Sequence, residues 1–121
     1  MSRKDRTYID RELIAGLVYN EEAYIKEFAD ASEDSFTEFK TNYRKYLLKR
    51  DETNFRKAGH KIKPVAQMLE IDEIVQEYEH AKTLLWDEKP VEKLEQSVEK
   101  IEGICNEIIR ELKQIQENPS G

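Results

Sequence analysis

The sequence predicts an all-α fold, an antiparallel four-helix bundle with a short additional N-terminal helix. Apolar residues recur at intervals of three and four along most of the chain, and the 121 residues include only 4 glycines and 3 prolines. Charged residues make up 38% of the composition, which suits the solvated outer faces of a helical bundle. Because this length is that of one domain, we expect a single bundle over residues 8–117 with flexible tails at residues 1–7 and 118–121.

The N-terminal part of the chain predicts a short helix followed by a long one. The short amphipathic helix begins near Tyr8, with Asp10 in or before its first turn, and is expected to cover one end of the bundle. Asn20 is the expected N-cap of the second helix, which we predict to be one long or kinked helix ending near Arg50. Its apolar positions have helical spacing: Ile25, Phe28, Phe36, Phe39, Tyr43 and Leu47.

The third and fourth helices are separated by recognisable turn signals. Asp51 or Thr53 is expected to cap the third helix at its start. Pro64 lies within this helix, where it removes one backbone amide and should bend the helix locally. A fourth helix is predicted to begin at Asp72, and residues 87–90 form the turn that follows it.

The last helix has the most regular pattern in the chain. Its apolar residues alternate by three and four without a miss: Val91, Leu94, Val98, Ile101, Cys105, Ile108, Leu112 and Ile115. This pattern predicts the buried seam of a bundle.

Charge and cysteine content exclude several functional classes. The formal net charge of −6 disfavours a nucleic-acid partner, because binding to a phosphate backbone requires a basic face. No apolar run approaches the roughly 20 residues of a membrane span. Cys105 is the only cysteine, so it cannot form an internal disulfide, and we expect a reducing, cytoplasmic location. A domain cut from a membrane-anchored parent stays open as an alternative.

The sequence offers few groups for enzymatic chemistry. It has no glycine-rich phosphate loop, so we expect no ATP binding or kinase activity of its own. Its two histidines, His60 and His80, do not have the spacing of metal ligands. Carboxylates such as Glu77 and Glu79 are interpreted as parts of solvated faces. A helical enzyme that uses clustered carboxylates with a metal ion is therefore the weakest of the functional hypotheses.

His60 is the candidate reactive group. At about 100° per residue it points away from the apolar side of the third helix, so we expect it to face water. A neutral imidazole nitrogen is available near neutral pH, and Lys63, one turn further on, can reach the oxygens of a phosphoryl group carried by His60. The simplest alternative is a surface histidine without a role. The residues expected on its face include no carboxylate: Thr53, Arg56, Lys57, Lys63, Pro64 and Gln67.

The run Ala58-Gly59-His60-Lys61-Ile62-Lys63 resembles the His-x-Leu/Ile-Lys core of the histidine-containing phosphotransfer (HPt) domains of multistep two-component phosphorelays. Leu69 falls where that family has the apolar residue that closes its motif, and the likeness extends over residues 28–85. Two positions depart from the family pattern. Pro64 and Glu70 stand where the family usually has glycine.

The resemblance implies a phosphorelay intermediate that accepts a phosphoryl group on His60 from a receiver-domain aspartate and passes it to another receiver. It also implies that Lys63 stabilises the phosphoryl oxygens. The partner would be a response-regulator receiver domain or a hybrid sensor histidine kinase, which brings the Mg²⁺, so this chain needs no bound cofactor. We expect a monomer.

Helix geometry adds the expected border of the docking surface: Arg56, Lys57, Pro64, Gln67 and Met68. The alternative is a non-catalytic helical-bundle module that binds another protein and in which His60 is degenerate or incidental. Pro64 and Glu70 favour that alternative.

Overall fold

The computed structural model describes residues 8–121, which form five helices and no strand. They are α1 (Arg11–Leu17), α2 (Glu22–Leu48), α3 (Glu52–Met68), α4 (Asp72–Trp86) and α5 (Val91–Glu117). The predicted all-α class is confirmed, whereas the expected tail at residues 1–7 lies outside the described residues. None of these helices combines the length and the apolar content that a bilayer crossing demands.

Helices α2 to α5 form a closed four-helix arrangement. The two longest helices, α2 and α5, have 27 residues each and pack along one another. Helix α3 packs against α2, and α4 packs against both α3 and α5. The connections between consecutive helices are three or four residues long, at residues 49–51, 69–71 and 87–90. Such short connections favour antiparallel neighbours, as predicted.

Helix α1 is fastened to one end of the bundle by a buried carboxylate. The side chain of Asp10 caps the first turn of α1 by accepting two backbone N–H groups at 3.0 and 3.3 Å. Just before this cap, the backbone amides of Tyr8 and Ile9 donate to Glu111 Oε1 at 2.9 and 2.8 Å. Glu111 lies near the C-terminal end of α5, so α1 lies over that end, as expected.

The observed helix boundaries show that one predicted N-cap is wrong, and they decide between the two candidates for another. Glu21, not Asn20, occupies the N-cap of α2, and Asn20 adopts a left-handed conformation with φ of 61°. Helix α2 then continues without a break to Leu48, so the single long helix is confirmed. Asp51 is the N-cap of α3, and its carboxylate accepts the backbone N–H of Asn54 at 3.1 Å.

A column of aromatic rings joins three of the helices inside the bundle. Phe39 and Tyr43 of α2 meet edge to face at 5.4 Å between ring centroids, and Tyr43 meets Phe55 of α3 in the same way at 5.0 Å. Phe55 is 5.2 Å from Tyr78 of α4. All four rings are buried, and each burial stabilises the fold by about 1.5–3 kcal/mol.

Glu77 contradicts the expectation that it lies on a solvated face. Glu77 is only 5% exposed. Its carboxylate accepts a hydrogen bond from Ser97 Oγ at 2.7 Å, lies 3.1 Å from His80 Nδ1 and lies 3.3 Å from Lys100 Nζ. The Tyr43 hydroxyl is 2.6 Å from the same Ser97 oxygen. Burial alone would raise the pKa of Glu77, but these hydrogen bonds outweigh burial and the pKa is lowered.

Candidate functional site

His60 lies at the middle of α3 and is exposed, as the helical pattern predicted. The opposite side of α3 faces the core through Phe55, Ala58, Ile62 and Ala66. The bundle therefore buries one side of this helix and presents the imidazole to solvent from the other.

Gly59, the residue before His60, allows α3 and α4 to approach closely. A β-carbon at residue 59 would lie 1.9 Å from Cζ of Tyr78, so any side chain there would overlap the ring. The Tyr78 hydroxyl reaches the carbonyl oxygen of Arg56, one turn earlier in α3, at 3.4 Å. Because Tyr78 contacts α3 at two successive turns, it helps to fix the rotation of α3 that turns His60 outwards.

Lys63 leans from α3 towards α4. Its Nζ lies 2.7 Å from Glu79 Oε2 and 5.7 Å from the centroid of the Tyr78 ring. The other oxygen of Glu79 lies 2.9 Å from Lys82 Nζ. Hydrogen bonds from Lys63 and Lys82 lower the pKa of Glu79, so its carboxylate is charged at neutral pH. A carboxylate therefore borders the His60 face, although none was expected there from the sequence of α3. It belongs to α4, which the sequence pattern of α3 does not describe.

The other flank of His60 faces α2. Lys61 Nζ pairs with Glu38 Oε2 of α2 at 2.6 Å. Each lysine beside His60 is thus held by a carboxylate of a different helix, Lys61 by α2 and Lys63 by α4.

The five residues expected at the border of the docking surface are all exposed: Arg56, Lys57, Pro64, Gln67 and Met68. Arg56 pairs with Glu52 of its own helix at 3.3 Å. Met68, 47% exposed, lines a shallow groove between α2 and α3 together with Val65 and Phe28. This groove lies on the part of α3 that follows His60, so the border is polar before His60 and partly apolar after it.

The two positions at which the family pattern expects glycine have different structural consequences. Pro64 lies inside α3, which continues past it to Met68. Proline has no amide to donate to the His60 carbonyl four residues earlier. Glu70 follows the helix with φ of 59°, and Ile71 donates its amide to the Ala66 carbonyl at 2.8 Å, as in a helix end that normally has glycine in the left-handed position.

The remaining candidate groups lie away from His60. His80 Nδ1 contacts buried Glu77, as described above, and its side chain is 57% exposed. Cys105 lies in the core of α5, where burial raises the pKa of its thiol to about 12. Within residues 8–121, no group of three or more histidine, cysteine, aspartate or glutamate side chains has an arrangement that could hold a metal ion.

Comparison with known proteins identified no relative: no family model, no curated protein and no solved structure matches this chain. The features of the site that sequence reasoning missed are the Tyr78 contact with Gly59 and the Glu79 contact with Lys63. A glycine in the interior of an amphipathic helix was a signal for the first, because glycine there weakens the helix unless close packing requires it. Nothing in the spacing of α3 signalled the second.

Proposed function

We propose that this protein is a phosphorelay intermediate, which accepts a phosphoryl group on His60 from a receiver-domain aspartate and passes it to a second receiver. The observation that supports this function is the position of His60. It stands exposed at the middle of a bundle helix, with Lys63 one turn further on. This geometry agrees with the resemblance of residues 58–63 to the HPt motif.

The reaction requires little from this chain beyond an exposed imidazole. A neutral ring nitrogen of His60 attacks the phosphorus of the aspartyl phosphate, a nitrogen–phosphorus bond forms, and the phosphorus–oxygen bond to the aspartate breaks. The aspartate leaves as a carboxylate, and the other ring nitrogen of His60 keeps its proton. Transfer to the second receiver reverses these steps. Phosphoryl transfer depends mainly on positioning and charge neutralisation, which Lys63 and the Mg²⁺ of the receiver would supply.

The surface around His60 is the proposed docking site for the receiver. Arg56 and Lys57 provide charged contacts before His60, whereas Met68 and the groove beside it provide apolar contacts after it. Pro64 and Gln67 lie between these two parts of the surface. A cytoplasmic location fits this role, because the receiver domain would there have access both to Mg²⁺ and to the kinase that supplies its phosphoryl group.

A second candidate function is a non-catalytic module that binds a partner protein through the same surface. The observation that favours it is the ion pair between Lys63 and Glu79, which directs the lysine towards α4. In that case the exposed face of α3 would serve for recognition alone, without transfer to His60.

The test is incubation with a panel of receiver domains phosphorylated with labelled phosphate. The phosphorelay proposal expects acid-labile, base-stable label on the native chain and none on His60→Gln. His80→Gln is the matched control, because it removes the other histidine and should still accept label. Absence of label on the native chain with every receiver, combined with stable binding to one of them, would favour the interaction module.

A further inference from the structure

Glu79 of α4 is the centre of a charged cluster between α3 and α4 that includes Lys63, the lysine of the proposed site. Its two carboxylate oxygens contact different lysines, with Lys63 Nζ at 2.7 Å from one and Lys82 Nζ at 2.9 Å from the other. Both ammonium groups also lie over the ring of Tyr78, at 5.7 and 5.1 Å from its centroid. The same ring packs against Gly59. The cluster is thereby attached to the helix segment that carries His60.

Because Glu79 contacts two lysines, Lys63 can move away from it. If Lys63 moved away, Glu79 would keep Lys82 as a partner, so its charge would not be left unpaired. The Glu79 side chain is 43% exposed and the Lys63 side chain is 30% exposed, and ion pairs that are accessible to solvent in this way are individually weak. A doubly charged phosphoryl group on His60 would therefore compete effectively with Glu79 for the Lys63 ammonium.

We propose that Glu79 is a positioning residue, which holds Lys63 against α4 while His60 is unmodified and releases it to the phosphoryl group when His60 is phosphorylated. This inference rests on the proposed function of His60. Lys82 and the Tyr78 ring remain in place, and the movement is confined to the side chain of Lys63. Glu79 thus opposes phosphorylation of His60 in two ways, by occupying Lys63 and by adding a negative charge near the phosphoryl group.

One substitution at Glu79, made in two backgrounds, and one control separate these contributions. Glu79→Gln keeps the size of the side chain and removes its charge, and it is made in the native chain and in Lys63→Ala. Glu38→Gln is the matched control, because Glu38 pairs with Lys61 on the other flank of His60 and the substitution changes the net charge equally. The measured quantity is the equilibrium ratio of phosphorylated to unmodified chain when a phosphorylated receiver is the donor.

We expect Glu79→Gln to increase this ratio about two- to fivefold in the native chain, the range that corresponds to one partly exposed ion pair. In Lys63→Ala the same substitution should have a clearly smaller effect, because only the through-space repulsion by Glu79 is then removed. Glu38→Gln should likewise change the ratio of phosphorylated to unmodified chain less than Glu79→Gln does in the native chain. Circular dichroism and denaturant unfolding would establish that each variant is folded.

Equal effects of Glu79→Gln with and without Lys63 would overturn the proposal, as would no effect in the native chain. These results are distinguishable from failure of the proposed function. If the proposed function is wrong, the native chain itself will carry no label on His60, and this result contradicts both proposals.

Discussion

The ring of Tyr78 lies directly against the backbone of Gly59, so that a β-carbon at residue 59 would stand 1.9 Å from Tyr78 Cζ. This contact sets the separation of α3 and α4 next to His60. It also brings Tyr78 within reach of the Lys63 and Lys82 ammonium groups. The packing that orients the candidate phosphoacceptor and the electrostatics around its lysine therefore depend on the same aromatic ring.

Replacing Gly59 by alanine should destabilise the protein by about 1–3 kcal/mol, because the added methyl group overpacks a filled contact. Gly103 is the matched control. It is an exposed helical glycine with no neighbouring atom within 4 Å of an added β-carbon. Gly103→Ala should stabilise the protein by roughly 0.5–1 kcal/mol, since alanine favours a helix interior. Denaturant unfolding measures both values, and a Gly59→Ala variant as stable as Gly103→Ala would contradict the close packing.

Lys63→Ala should slow phosphoryl transfer to His60 by roughly tenfold while leaving His60 able to accept label. The reason is that one charge-assisted hydrogen bond to the phosphoryl oxygens is lost, whereas the nucleophile is unchanged. The measurement is the rate at which label moves from a phosphorylated receiver. Lys61→Ala is the control on the adjacent position and should change the rate less. Transfer by Lys63→Ala at the native rate would show that the electrostatic role assigned to Lys63 is wrong.

Glu77 should make the stability of the protein sensitive to acid. Its pKa in the folded protein lies below the ordinary value of 4.5, so its ionised form stabilises the fold above that pH, and this contribution is lost as the pH falls through the lowered pKa. Glu77→Gln removes the contribution at every pH. The variant should be less stable than the native chain by about 1–3 kcal/mol at pH 7.

Denaturant unfolding at several pH values between 7 and 3 tests this expectation. The gap in unfolding free energy between the native chain and Glu77→Gln should narrow as the pH falls. Glu27→Gln, at an exposed position of α2, is the control and should follow the native chain. A gap that stays constant across the range would show that the charge of Glu77 does not stabilise the fold.

The sequence predicted the helices well because their signals are local. In the 27-residue helix α5 the apolar seam is buried from Leu94 to Ile115, and only its first expected member, Val91, is exposed. The cap at Asp51 directly precedes its helix. The exposure of His60 followed from its angle relative to Phe55 and Ile62 on the same helix, which local periodicity describes completely.

The missed features depend on how helices pack against one another. Glu77 follows Ile74 by three residues and precedes Ala81 by four, which places it on the buried side of α4. That spacing was a usable signal, but its partner Ser97 is supplied by α5 and becomes apparent only in the packed bundle. In the same way, the contact of Glu79 with Lys63 depends on the rotation of α4 against α3.

The central claim is that His60 carries the phosphoryl group, and the most direct test is to locate the modification. The chain would be labelled by a phosphorylated receiver, digested under alkaline conditions that preserve phosphohistidine, and analysed by tandem mass spectrometry. We expect one phosphoryl group on the peptide that contains His60, with the fragment ions assigning it to the imidazole and with none on His80. Phosphorylation at any other residue, or label that survives acid treatment, would contradict it.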